Sequence, residues 1–304
     1  MASESMKQLK IMMGQHGSGS LKHALDKNAD FARIRQMMEE QNSQMPIEPG
    51  VAFSDVSLGE VRAERVVPKE ANENGVIMQI HGGGFAFGSP ASVRSYSTLL
   101  AAETGMVVYS IDYRLAPEHP FPEGTEDCIS AYIALTEKYP NAKIAIIGDS
   151  AGGNLSIVTA LMAKDRGARL PSCVVAFSAA TNAAEDYPSQ EANKDADLIL
   201  PPEVKELVRG IYLKDGDDPK HPYVSPIYGN FTGYPPIKIV VDKSEVLYDD
   251  SRIFAEKAKA SGVSVDYSEF DDAFHSFPLT GRFTEEGIQV LADTKEFILK
   301  HFNA

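Results

Sequence analysis

The sequence is poor in cysteine, in basic residues and in long apolar runs, and each shortage excludes a class of protein. Its two cysteines, Cys128 and Cys173, cannot build the disulfide framework of a secreted scaffold. Both lie in apolar stretches, which predicts buried free thiols. No apolar run approaches the ~18 residues of a membrane-spanning helix. The amino terminus lacks a basic segment followed by an apolar one, so no signal peptide is predicted and we expect a cytoplasmic protein.

Acidic residues outnumber basic ones by a wide margin. Aspartate and glutamate total 43 against 29 lysines and arginines, which gives 304 residues a net charge of −14. Such a charge repels phosphate backbones and anionic lipids, so neither nucleic acid nor membrane is expected as a primary partner. Hydrophobic residues make up 43% of the chain, enough for a large core. α/β folds often use this length as one domain, and we expect residues 1–304 to form a single domain.

Short apolar runs rich in β-branched residues alternate with helical stretches beyond residue 50. The six runs are 76–80, 106–111, 143–147, 173–177, 237–241 and 265–270. Before them, 53–58 and 61–67 flank a Gly-Glu pair and predict an antiparallel hairpin. Continuous apolar strands separated by helices predict an α/β fold, with a mostly parallel twisted sheet covered by helices on both faces.

About sixty residues separate the strands 173–177 and 237–241, and this interval breaks the alternation. An insertion of that length in a compact domain is usually functional. With the helical amino-terminal segment it predicts a helical cap, formed by about 1–48 and about 183–222. We expect the cap over the carboxyl edge of the sheet, where α/β proteins bind their ligands.

The sharpest motif is Gly-Asp-Ser-Ala-Gly-Gly at residues 148–153, between the strand 143–147 and a helix predicted to begin near Asn154. A Gly-x-Ser-x-Gly at a strand-to-helix turn is typical of the nucleophile elbow, which exposes Ser150 on a tight turn. The helix amino terminus behind Ser150 directs free N–H groups at developing negative charge. This context favours a nucleophilic Ser150 over an incidental glycine turn.

A second motif, His-Gly-Gly-Gly-Phe at residues 81–85, follows the strand 76–80. Three consecutive glycines leave backbone amides free to point at an oxygen, as an oxyanion hole requires. A phosphate loop would need a basic residue and a helix directly afterwards, and residues 85–88 supply neither. His81 precedes the glycines, and we interpret it as a residue that orients the loop.

An elbow serine needs a histidine base and a carboxylate, in the chain order serine, acid, histidine. Of the seven histidines, His275 alone follows a late strand at the carboxyl edge of the sheet. The acid belongs in the loop after 237–241, where Asp242, Glu245, Asp249 and Asp250 compete. Asp249 and Asp250 precede a helix and are most simply N-cap residues. Spacing favours Glu245, which lies mid-loop with a longer reach, over Asp242 at the strand end, but leaves both open.

Residues 81–84 and 148–153 together resemble the hormone-sensitive lipase family of α/β-hydrolase fold carboxylesterases, and residues 112–122 resemble a further signature of that family. The likeness spans roughly residues 50–302. It implies that Ser150 is the nucleophile and His275 the base. The oxyanion hole would comprise the amides of Gly83, Gly84 and Ala151, supported by the motif residues His81, Gly82 and Asp149.

The catalytic acid of the family is usually the first residue of Asp-Pro-Leu-x-Asp-Glu. Residues 245–250 read Glu-Val-Leu-Tyr-Asp-Asp and keep that register, which places Glu245 on the acid and Val246 on the proline. The resemblance thus implies a Ser-His-Glu triad. Glutamate for aspartate and valine for proline are departures from the family pattern.

The resemblance implies a serine carboxylesterase that acts through an acyl-enzyme on small short-chain acyl esters. It requires neither cofactor nor metal, and a homodimer is compatible with it. A non-catalytic small-molecule receptor on the same fold, as the plant gibberellin receptors of this family illustrate, is the alternative from another class. The loss of a triad residue would favour the receptor. An amidase with the same triad is the second alternative.

Overall fold

The computed structural model describes residues 2–15, 24, 26 and 28–303. Eight strands are present in this part of the chain. They are β1 (Val51–Leu58), β2 (Val61–Pro68), β3 (Asn72–Ile80), β4 (Met106–Asp112), β5 (Lys143–Asp149), β6 (Cys173–Phe177), β7 (Ile237–Asp242) and β8 (Val265–Phe270). All eight predicted strands are confirmed, because each apolar run lies within one of them.

The described residues form nine α-helices. They are α1 (Glu4–Gln15), α2 (Phe31–Asn42), α3 (Pro90–Thr104), α4 (Glu123–Lys138), α5 (Ser150–Asp165), α6 (Pro188–Ala192), α7 (Val204–Tyr212), α8 (Tyr248–Ala260) and α9 (Glu285–Phe302). Two short 3-10 helices, Pro226–Tyr228 and Phe277–Phe283, complete the set. None of these helices is both long and apolar enough to cross a membrane.

The strands form one sheet in the order β1-β2-β4-β3-β5-β6-β7-β8. β1 and β2 form the predicted antiparallel hairpin, and β2 also pairs antiparallel with β4. The six strands from β4 to β8 run parallel. Parallel strands direct their carboxyl ends to one edge, so the loops after β3, β5, β6, β7 and β8 meet there.

The core divides between the two faces of the sheet, because successive side chains of a strand point to opposite sides. In β3, Val76, Met78 and Ile80 pack with α4 and α5, whereas Ile77 packs with α3 and α9. Both faces are covered by helices, so the predicted layering is confirmed. The two cysteines are buried free thiols in these layers, also as predicted.

The insertion between β6 and β7 contains α6 and α7 and lies against the amino-terminal helix α2. Phe31 of α2 packs in one cluster with Phe87, with Val204 of α7 and with Leu247 beyond β7. The Phe31 and Phe87 rings stack at 5.5 Å. The predicted cap segment 1–48 includes residues 16–23, 25 and 27, which lie outside the described part of the chain. Helix α2 and the insertion therefore form one packed unit beside the carboxyl edge.

Candidate active site

Ser150 lies where β5 ends and α5 begins, in the turn predicted from residues 148–153. Its backbone has φ +52°, a conformation that few non-glycine residues adopt. A Cβ at Gly148 would clash with the carbonyl of Gly152, and one at Gly152 would clash with the carbonyl of Ile80. Glycine is therefore required on both sides of the serine. The helix begins at Ser150, not near Asn154 as predicted, because Ala151, Gly152 and Gly153 belong to the helix directly after the left-handed Ser150.

His275 follows β8 and lies beside Glu245 in the loop after β7. The imidazole Nδ1 is 2.7 Å from Oε2 of Glu245, and both side chains are buried. Within the described part of the chain, Nε2 of His275 is buried without a hydrogen-bond partner. Ser150 and His275 line the same cavity.

The second carboxylate oxygen of Glu245 is held by two donors. Oε1 accepts a hydrogen bond from the amide of Asp242 at 2.8 Å and another from Oγ of Ser178 at 2.8 Å. The same Ser178 Oγ accepts the amide of Ser276 at 3.1 Å. Ser178 therefore connects the acid to the histidine loop. The sequence analysis missed this residue, although its position directly after β6 at the carboxyl edge was a usable signal.

The competing carboxylates have other partners. Asp242 accepts the amides of Ser244 and Ala273, each at 2.9 Å, and so bridges the β7 and β8 loops through backbone. The prediction that Asp249 and Asp250 are N-cap residues is wrong. Both lie in the first turn of α8. Asp250 forms a buried ion pair with Lys205 at 2.8 Å. Glu245 is thus the carboxylate that the structure brings to His275.

Electrostatics at this pair favour proton acceptance by the imidazole. Burial lowers the pKa of His275, but the hydrogen bond and charge of Glu245 outweigh it, and the charges of Asp197 and Asp149 add to them, so the pKa lies above its ordinary value. Burial also raises the pKa of Glu245, against the hydrogen bonds it accepts. A buried carboxylate next to an imidazole stabilises the imidazolium that forms when a serine is deprotonated.

The glycine loop after β3 turns tightly beside Ser150. Gly83 has φ +112° and Gly84 has φ +61°, and the Gly83 carbonyl accepts the amides of Ala86 and Phe87 at 3.1 and 2.9 Å. A Cβ at Gly83 would clash with the carbonyl of Phe87. Gly83, Gly84 and Ala151 line the cavity together with Ser150. The first amides of α5 have no acceptor within their own helix, so the amide of Ala151 can donate to a ligand.

Asp149 fastens the glycine loop to the histidine loop. Its Oδ1 accepts the amide of Gly82 at 3.1 Å, and its Oδ2 accepts Oγ of Ser276 at 2.9 Å. His81 is buried, stacks on Tyr113 at 4.3 Å and contacts its neighbour's carbonyl through Nδ1 at 2.8 Å. Burial lowers the pKa of His81 to about 4, so it stays neutral at physiological pH.

A cavity of about 250 Å³ opens above Ser150 and His275. Its walls are mostly apolar and come largely from the insertion. The apolar side chains are Phe85, Ala180, Ala183, Ile199, Leu200, Val204, Val208, Tyr212, Val224 and Leu247. No residue of the amino-terminal segment, among those described, lines it. Nor do the described residues contain a group of three or more histidine, cysteine or acidic side chains that could hold a metal ion.

Known proteins are similar to the chain over most of its length. A family model described as the alpha/beta hydrolase fold matches residues 77–279. An acetyl-hydrolase of Streptomyces hygroscopicus is 36% identical over 74% of this chain and 76% of its own. An esterase of Acinetobacter venetianus is 33% identical over 87% of both chains.

Solved structures match the whole fold. A hormone-sensitive lipase from a metagenome library has a TM-score of 0.90 and 31% identity over 99% of both chains. EstE5 soaked with p-nitrophenyl butyrate has a TM-score of 0.88 and 30% identity over 100% of both chains.

Proposed function

We propose, since the chain belongs to the hormone-sensitive lipase family of α/β-hydrolase fold proteins, that it is a carboxylic ester hydrolase. The family membership inferred from residues 81–84 and 148–153 is confirmed by the family model and by the relatives. One observation carries the activity, namely the buried hydrogen bond of 2.7 Å between His275 and Glu245 in the cavity that Ser150 lines. This arrangement supports nucleophilic catalysis by serine.

In the proposed reaction Ser150 attacks the ester carbonyl. As its oxygen forms the new bond to carbon, Nε2 of His275 takes the hydroxyl proton, and Glu245 stabilises the resulting imidazolium. The tetrahedral intermediate collapses when the bond to the alcohol oxygen breaks, and the imidazolium returns its proton to that oxygen. Water then attacks the acyl-serine with the same base, releasing the acid and restoring Ser150.

The amides of Gly83, Gly84 and Ala151 would stabilise the oxyanion during both steps. The positive φ angles of the two glycines and the start of α5 at Ser150 support this role, since they leave three backbone donors at the same cavity wall. Fixed donors at a developing negative charge contribute most when the site is closed to bulk water.

Small esters with short acyl chains fit the cavity best. A volume of about 250 Å³ holds a small substrate, and the apolar side chains of α7 and its flanks form much of the wall. The names of similar proteins agree with this class, because one is an acetyl-hydrolase and another was soaked with p-nitrophenyl butyrate.

Packing of α2 against Val204 and Leu247 supports a cap built from about 1–48 and about 183–222.

A comparison of an ester with its amide tests the proposal. The protein should hydrolyse p-nitrophenyl acetate or butyrate, and Ser150→Ala should lose nearly all of that activity while keeping its thermal unfolding midpoint. Binding of the ester without turnover by the wild type would favour a receptor. Faster cleavage of p-nitroacetanilide than of the ester would favour an amidase, and either result would contradict the proposal.

A further inference from the structure

Three side chains from the insertion hold the backbone of the Glu245 loop. Nδ2 of Asn193 donates to the carbonyls of Lys243 and Glu245, both at 2.7 Å. Oδ2 of Asp197 accepts the amide of Val246 at 2.9 Å, and Oγ of Ser189 donates to the Val246 carbonyl at 2.8 Å. The backbone on both sides of the Glu245 Cα atom is therefore hydrogen-bonded to side chains of the insertion, namely Asn193, Asp197 and Ser189.

The hydrogen bond from Val246 depends on a departure from the family pattern. Where the pattern has proline after the acid, this chain has valine, and only a non-proline residue has an N–H to donate. Asp197 uses its other oxygen for the amides of Ile199 and Leu200, each at 2.9 Å, and both of those residues line the cavity. One carboxylate thus links the catalytic-acid loop to the wall of the substrate cavity.

We propose that Asn193 and Asp197 are positioning residues for catalysis, which hold the Glu245 loop to the insertion so that Glu245 stays within hydrogen-bond reach of His275. The inference rests on the proposed function, because it assumes that Glu245 is the triad acid. Neither residue hydrogen-bonds to the imidazole, and neither lines the cavity. Both act through the main chain that carries the acid.

A glutamate needs this support more than an aspartate would. Its side chain has one more rotatable bond, so the position of its carboxylate depends on a longer flexible arm. Ser178 and the Asp242 amide fix the carboxylate end of that arm, at 2.8 Å each. The bonds from Asn193 and Asp197 fix the backbone end. With both ends fixed, Oε2 is held at 2.7 Å from Nδ1 of His275.

Asp197 also contributes charge near the base. The acidic groups that act on His275 come from three places, with Glu245 in the β7 loop, Asp149 at the end of β5 and Asp197 in the insertion, and all raise the pKa of His275. Among the described residues, the buried Nε2 has no hydrogen-bond partner, and the one cationic side chain that lines the same cavity, Lys205, is paired with Asp250. Neutralising Asp197 therefore changes proton affinity at His275, whereas a purely structural residue would leave it unchanged.

The first test compares Asn193→Ala and Asp197→Ala with Asp195→Ala, an exposed acidic residue of the same segment, on p-nitrophenyl butyrate. Loss of a hydrogen bond that aligns a catalytic group lowers kcat by about tenfold. Asn193→Ala should lower kcat with KM within about twofold, because it contacts only the acid loop. Asp197→Ala should lower kcat and raise KM, because it also fixes the cavity wall. Wild-type kcat in both variants, at matched unfolding midpoints, would overturn the proposal.

A double-mutant cycle with Val246→Pro tests the route through the Val246 amide. The proline removes the N–H, so the kcat cost of Asp197→Ala should fall to within about twofold in this background. Asn193→Ala should keep its cost there, since it binds different atoms. An equal kcat cost of Asp197→Ala in both backgrounds would contradict the assigned contact.

The pH dependence of kcat/KM is a second test, and it does not require that the Val246→Pro variant folds. Asp197→Asn should move the acidic limb of kcat/KM to lower pH, and Asp195→Asn should leave it in place. Identical limbs in Asp197→Asn and wild type would overturn the proposal. The Glu245→Gln variant distinguishes a failure of the positioning role from a failure of the proposed function. An active Glu245→Gln overturns the triad itself, whereas an inactive one beside normal Asn193 and Asp197 variants overturns only the positioning role.

Discussion

The two carboxylate oxygens of Glu245 have different hydrogen-bond partners. Oε2 meets Nδ1 of His275 at 2.7 Å, and Oε1 accepts the Asp242 amide and the Ser178 hydroxyl. Because the carboxylate is fully buried, a misplaced oxygen would lose these partners without gaining water in return. In the proposed mechanism, catalysis therefore depends on the placement of this side chain, and this gives a clear mutational expectation.

Glu245→Gln should lower kcat by about three to four orders of magnitude, because an amide cannot stabilise the imidazolium as a carboxylate does. Asp242→Asn should lose far less activity, since Asp242 contacts backbone amides and not the imidazole. Steady-state kinetics of both variants, with unfolding midpoints measured alongside, check this. An inactive Asp242→Asn beside an active Glu245→Gln would assign the acid to Asp242.

The pH dependence of kcat/KM should show an acidic limb above the ordinary imidazole value of 6.5, because Glu245, Asp197 and Asp149 raise the pKa of His275. The base works in its neutral form, so activity falls as pH drops through this raised pKa. A substrate without ionisable groups, measured between pH 4 and 9, gives the profile. A midpoint below that of free imidazole would be inconsistent with the charge arrangement around His275.

Among individual residues, the sequence predicted those that belong to a recognisable motif or to the expected chain order, and it missed those that belong to neither. Ser150 and His275 follow from a five-residue pattern and from chain order, and the structure brings both to one cavity. Ser178 has only the weaker signal of its position directly after β6 at the carboxyl edge, which marks it as near the site but does not assign its partner. Asn193 and Asp197 lie in the insertion, where no periodicity predicts which backbone groups their side chains will meet.

Among the structural elements, the glycine loop at residues 81–88 is fixed by several close contacts. Gly82 donates to Asp149, Gly83 adopts φ +112°, and the imidazole of His81 leaves no room for a Cβ at Gly88. The strand before the loop and the side chain of Asp149 therefore fix the position of the loop and of its backbone amides.

Gly83→Ala should reduce kcat by about two to three orders of magnitude, the usual cost of losing an oxyanion donor. The added Cβ would clash with the Phe87 carbonyl, and φ +112° is unfavourable for alanine, so the loop must move. Gly210→Ala in α7 is the matched control, because a Cβ there meets open space. Wild-type turnover in a folded Gly83→Ala protein would contradict the oxyanion assignment.

Element types followed from periodicity, whereas element boundaries depended on tertiary geometry. All predicted strands are present, since apolar runs of β-branched residues suit a sheet buried on both faces. The start of α5 was predicted about four residues late, because Ala151 to Gly153 look like a turn in the sequence but belong to the helix. Glycine content misled the prediction here, because close packing requires glycine at Gly152 inside the helix.

For the molecule as a whole, the loops at the carboxyl edge of the sheet carry the proposed triad, and the insertion supplies half of the residues that line the cavity. Ser150, Glu245 and His275 follow β5, β7 and β8, whose carboxyl ends share one edge. The order of apolar strands and helices along the chain was enough to predict this division. The shape and volume of the cavity were not predictable, because they depend on how α2, α6 and α7 pack.

Turnover should decrease as acyl chains lengthen, because a cavity of about 250 Å³ lined by Ile199, Leu200 and Val208 has limited room. A series of p-nitrophenyl esters from acetate to palmitate, compared by kcat/KM, should peak at acetate or butyrate and fall by at least tenfold by the longest chain. Leu200→Ala should shift the peak toward longer chains. Faster cleavage of emulsified long-chain triglycerides than of soluble short esters would refute the size limit.

Covalent labelling of the nucleophile tests the central claim most directly. A fluorophosphonate should react once per chain, and peptide mass spectrometry should place the adduct on Ser150, with loss of esterase activity in proportion to labelling. Ser150→Ala should remain unlabelled, and His275→Ala should label much more slowly because its serine lacks a base. A stoichiometric adduct on any other residue, or undiminished ester hydrolysis by Ser150→Ala, would contradict the assignment of this chain as an esterase acting through Ser150.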